Sequence, residues 1–140
     1  MSDYHYVFVA PVEPTETSRL AADLGEVLDL RFLARPSEYA GHLATTEGMA
    51  LDLGTHPYEN DRDMAFEDHP YVITVRRVGQ PREVQEACAR QLFDRLAATG
   101  RHRLLLVDDL QRLLGSVRPE PGTSGAPSVH HGMETRREPA

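Results

Sequence analysis

The chain has 140 residues, 40% of them apolar and 26% charged, and a net charge of −7. That length makes one domain. The acidic balance argues against nucleic-acid binding, which needs a basic face for phosphate contacts. The single cysteine, Cys88, leaves no disulfide framework within one chain.

The N-terminus shows no basic segment followed by an apolar run. The apolar runs are far shorter than the roughly 18 residues that a membrane helix needs. A cytoplasmic protein without a membrane span is therefore expected.

In chain order, residues 4–10 read as an interior strand, aromatic and β-branched on both faces and stopped by Pro11. Thr15 or Thr17 is placed to cap a helix whose stripe is Leu20, Leu24, Val27 and Leu28. Gly25 within it predicts close packing on the sheet. Leu30 to Ala34 reads as a short second strand. Arg35 to Glu47 carries no clear pattern beyond a short helical turn at Ser37 to His42. Met49, Leu51 and Leu53 alternate with Ala50 and Asp52, which predicts a third strand ended by Gly54.

The connection from Thr55 to Pro70 is longer than most. It lies in a segment, Ser37 to His69, that holds eight carboxylates and one arginine and so accounts for the whole net charge. Tyr71 to Val78 is a fourth strand. After Pro81 a second helix carries Val84, Ala87, Cys88, Leu92 and Leu96 as its stripe and stops at Gly100. Leu104 to Val107 is a buried fifth strand. Asp108 and Asp109 then cap a short helix from Leu110 to Leu114. From Val117 onward Pro, Gly and Ser dominate, so residues 1–116 form the domain and 117–140 a disordered tail.

This order predicts an α/β chain of the α+β type: a split-βαβ, ferredoxin-like mixed sheet of five strands with two main helices on one face. On that plan the acidic connection shares a sheet edge with Asp3, Arg31, Arg101 and Arg103. The opposite edge carries Glu13, Arg76, Arg77, Asp108 and Asp109.

Catalytic motifs are absent from the sequence. No glycine-rich turn leads into a helix as a phosphate cradle requires. The arginines Arg76, Arg77 and Arg82 read better as solvated side chains at a strand end than as an anion site. An EF-hand starting at Glu59 would put Met64 at the glycine position and Pro70 at the glutamate position. His56 and His69 each precede a proline, so they read as turn residues rather than zinc ligands. His5 reads as a core or edge histidine rather than a base. No catalytic residue, metal or cofactor is assigned.

What remains is a protein-binding surface. Tyr58, Met64 and Phe66 interleave with Glu59, Asp61, Asp63, Glu67 and Asp68. Acidic rims steer a basic protein partner, and embedded apolar groups can anchor it. The expectation is a non-catalytic binding domain, an immunity-like inhibitor or a regulatory protein, that acts through residues 55–70. The alternative is a small enzyme, such as a metal-dependent hydrolase, using carboxylate and histidine chemistry.

Overall fold

The computed structural model describes residues 4–35, 41–46, 48–119 and 127–131. The elements run β1 (His5–Pro11), α1 (Thr17–Leu28), β2 (Leu33–Ala34), β3 (His42–Thr46), β4 (Met49–Thr55), a 3-10 turn (Phe66–Asp68), β5 (Tyr71–Arg77), α2 (Arg82–Ala97), β6 (His102–Asp108), β7 (Arg112–Pro119) and β8 (Pro127–His131). All eight strands join one sheet in the order β2-β3-β4-β5-β1-β6-β7-β8. Every neighbouring pair is antiparallel. The chain is thus of the α+β kind, with both helices on one face of the sheet. Among the described residues no helix is long and apolar enough to cross a membrane.

The five-stranded mixed sheet is corrected. The connection β5-α2-β6 does join strands that run the same way, but β1 lies between them, antiparallel to both. Pairing is therefore antiparallel throughout. Two more strands come from hairpins that lack a clear apolar alternation. β3 and β4 pair as a hairpin, with Gly48 before β4 at φ 67°. Only glycine takes that left-handed conformation freely.

β6 turns into β7 through Asp109 and Leu110, at φ 55° and 59°. Positive φ at both central residues is the hairpin turn whose twist matches the strands. The expected helix over residues 110–114 is therefore the end of a turn, at 110 and 111, and the start of β7. β7 runs on to Pro119 and pairs with β8, which corrects the disordered tail over 117–119 and 127–131. The remainder of that expectation lies outside the described residues, as does the turn at residues 37–40.

Alternation along the strands gives the sheet two apolar faces. Val7, Val9, Leu51, Leu53, Ile73, Val75, Leu104 and Leu106 face the helices and meet Leu20, Leu24, Leu92, Phe93 and Leu96. Arg95 of α2 donates to the carbonyls of Val27 and Leu28, which are among the unpaired acceptors at the end of α1. Gly25 packs against the chain that follows α1 rather than against the sheet: a Cβ there would stand 2.6 Å from the Leu30 carbonyl oxygen. No threonine caps α1. Glu16 occupies the N-cap without a side-chain hydrogen bond.

The stripe of α2 is rotated by one position from the expected one. Gln85, Ala89, Leu92, Phe93 and Leu96 are buried, whereas Val84 is exposed. The reason is a polar one. The Gln85 side chain bonds to the backbone of β5 and to His5 of β1, which fixes the roll of the helix.

Candidate functional site

The other sheet face presents Tyr6, Phe8, Val72, Leu105 and Val107, and neither α1 nor α2 contributes to its cluster. Residues 56–69 do so instead, as a flap. Met64 and Phe66 are 0% and 3% exposed, and they pack on this second apolar cluster with Tyr58 half-buried beside them. The Phe8 and Phe66 rings lie 4.5 Å apart, and His56 meets Phe8 edge-on at 5.0 Å. Such ring pairs add to the area they bury. This corrects part of the expected partner surface: Met64 and Phe66 are core side chains, not anchors displayed to solvent.

The flap is tied by its own polar groups. Asn60 and Glu67 bond reciprocally, each backbone N–H donating to the other's side chain at 3.0 and 2.8 Å. Asp61 and Met64 exchange backbone hydrogen bonds in a tight turn, with Arg62 between them at φ 55°. The Tyr58 N–H donates to His56 Nδ1. His56 therefore carries its proton on Nε2 and donates it to the His69 carbonyl. His69 Nδ1 in turn donates to the Ala65 carbonyl at 2.9 Å. Both ring nitrogens of His56 are thus occupied, which leaves it no lone pair for a metal. Burial is the main cause that holds the His69 pKa below its usual value.

With the apolar groups turned inward, the acids turn outward. Glu59, Asp61, Asp63, Glu67 and Asp68 are all exposed. Glu67 is engaged by the Asn60 N–H, and Asp61 has a 4.0 Å contact with Arg62. Glu59, Asp63 and Asp68 have no cationic partner among the described residues. Of the arginines expected at this edge, Arg103 reaches the Asp68 carbonyl at 3.3 Å. Arg101 instead borders a cleft with Pro11, Arg19 and His102 on the helix side of the sheet. Glu13 borders the same cleft, so it belongs to the flap edge and not to the opposite one.

At the opposite edge a polar knot forms where β1 begins and β6 ends. His5 and Gln85 are both fully buried. The Arg77 N–H donates to Gln85 Oε1 at 3.0 Å, so the Gln85 amide group must be the donor that faces His5 Nδ1 at 2.8 Å. His5 Nδ1 is therefore an acceptor, and the ring's proton sits on Nε2. That N–H points between Glu86 Oε1 at 3.5 Å and Asp108 Oδ1 at 3.9 Å, too far from either for a hydrogen bond. Desolvation is the main cause that lowers the His5 pKa. Asp108 also holds Arg82 and Arg112.

Arg76 is taken by Asp52 on the other sheet face, at 2.7 and 3.0 Å. Arg76 and Arg82 therefore pair with different carboxylates, Asp52 and Asp108. His5 has no lone pair free to abstract a proton, so this knot lacks the base that histidine–carboxylate catalysis requires. Among the described residues no group of three or more His, Cys, Asp or Glu side chains is placed to hold a metal ion.

The knot went unseen in the sequence because Gln85 falls one residue off the apolar stripe. The inward turn of Met64 and Phe66 did leave a signal. Strand residues 4–10 are apolar on both faces, and two helices on one side leave the other face uncovered. No protein-family model, curated protein or solved structure matches the chain.

Proposed function

We propose that the protein is a non-catalytic, cytoplasmic binding domain that receives a basic protein partner on the outer surface of the 56–69 flap, as an immunity-like inhibitor or a regulatory protein would. We read the unit β1-α1-β4-β5-α2-β6 as a ferredoxin-like core that carries the flap on its helix-free face. The supporting observation is the flap's polarity. Its apolar side chains are spent in the core, and its hydrogen bonds close on one another. Glu59, Asp63 and Asp68 stay exposed without a cation. Like charges held close on an ordered surface repel, and a basic partner would relieve that repulsion. Order in the free flap would also reduce the entropy lost on binding. Charge would then set the association rate, with Tyr58 as the remaining partly accessible aromatic.

Three immobilised baits test this in a lysate of the native host. They are the full-length protein, the flap variant Glu59→Gln, Asp61→Asn, Asp63→Asn and Asp68→Asn, and a charge-matched control with Asp23→Asn, Glu26→Gln, Glu83→Gln and Asp94→Asn on the exposed sides of the helices. A basic protein retained by the wild type and the control and lost by the flap variant is expected. Equal capture by all three would place the partner surface elsewhere.

A further inference from the structure

Beside the flap, two arginines on the neighbouring strands β6 and β7 border one space. The register pairs Leu104 with Val117 and Leu105 with Ser116. Arg103 and Arg118 are the next step along, on the flap face. Like charges directly opposite one another destabilise a sheet. Among the described residues neither forms an ion pair. Arg103 donates to the backbone carbonyl of Asp68, and Arg118 makes no side-chain hydrogen bond to the described residues. Asp63 borders the same space but pairs with neither.

That space is a cavity of about 240 Å³ with Leu105 and Leu113 in its lining and Arg103, Arg118, Ser116 and His69 around it. His69 is buried and uses Nδ1 on the Ala65 carbonyl. Its Nε2 and the Ser116 hydroxyl have no hydrogen-bond partner among the described residues. Two guanidinium groups, a hydroxyl and an imidazole thus gather from β6, β7 and the flap.

We propose that this cavity binds a phosphate group between Arg103 and Arg118. Guanidinium forks match phosphate oxygens. Donors from β6 and β7 together with an acceptor from the flap suit a protonated tetrahedral oxyanion better than a planar carboxylate. The bound anion offsets the repulsion between the arginines, and the Ser116 hydroxyl donates to a third oxygen. Neutral His69 Nε2 accepts from the P–OH of a protonated phosphate. The exposed flap carboxylates oppose approach at long range, so binding is salt-sensitive. The inference does not depend on the flap's protein partner.

The test is an NMR titration of the full-length protein at constant ionic strength, with chloride as the balancing anion. Inorganic phosphate and O-phosphoserine are the two probes, and the His69 Cε1–H resonance is followed. Saturable movement of that resonance with either probe is expected. Tighter binding of the ester would identify an esterified phosphate as the ligand, and equal binding would identify the free ion. Arg118→Gln, at an exposed position, should weaken binding by about 10-fold, the loss of one charge-assisted hydrogen bond. Arg31→Gln, remote in sequence and exposed, should leave binding unchanged. No movement beyond that seen with chloride, or unchanged affinity in Arg118→Gln, overturns the proposal.

Discussion

Gln85 shows how much one side chain settles. Its carbonyl oxygen is claimed by the Arg77 N–H, so its amide group is forced towards His5 and the imidazole is held neutral with its proton on Nε2. Gln85→Leu strands a buried donor and a buried acceptor. Each unsatisfied group costs about 1–3 kcal/mol, so a loss of roughly 2–6 kcal/mol in urea unfolding is expected. Gln85→Glu reverses the proton logic: a carboxylate can accept from both sides, so His5 Nδ1 must become a donor. The His5 ring should then titrate at higher pH than in the wild type, as followed by ring-nitrogen chemical shifts. An unchanged His5 titration would mean that Gln85 does not set its tautomer.

Among the elements, the flap changes the meaning of a mutation. On the sequence-based expectation, Phe66→Ala would speed dissociation of a partner and leave the fold intact. Phe66 is instead 3% exposed against Phe8. The variant should lose about 3–5 kcal/mol of stability in chemical denaturation, as buried Phe→Ala changes do. A loss below 1 kcal/mol would show that the flap does not pack on the sheet.

The same elements show what the sequence can and cannot convey. β4 and both helices were legible because burial imposes a period on their residues, and β1, β5 and β6 because burial on both faces leaves near-continuous apolar runs. β3 and β7 were not. His42 to Thr46 has only Ala44 buried, and β7 turns on Asp109 and Leu110, where a two-aspartate pair reads equally well as a helix cap. For the flap, composition disclosed the acids and the apolar side chains but not their sorting. That sorting follows from the uncovered sheet face, a long-range fact. The α2 stripe was misread by one position because a hydrogen bond, not an apolar contact, sets the helix roll.

At the scale of the whole molecule, three buried histidines couple stability to pH. Burial lowers the pKa of His5, His69 and His102, the last to about 4 from an ordinary 6.5. The folded state keeps them neutral while the unfolded chain protonates them below about pH 6.5. Their contribution is therefore complete above that pH and is lost as pH falls towards the folded values. Each histidine can steepen the decline by up to about 1.4 kcal/mol per pH unit. Urea unfolding between pH 7.5 and pH 4.5 should show stability falling with acid, and His102→Gln should flatten part of the curve. Constant stability over that range would contradict the buried, neutral assignment.

The flap is a folded layer in the free protein, with its acids outward on an ordered surface. Hydrogen–deuterium exchange of the full-length protein without any partner tests this directly. The amides of Met64, Glu67 and His69 are each bonded within the flap, and they should exchange far more slowly than in an unstructured peptide. Exchange of residues 58–69 at the unstructured rate, with β1 and β6 still protected, would contradict it.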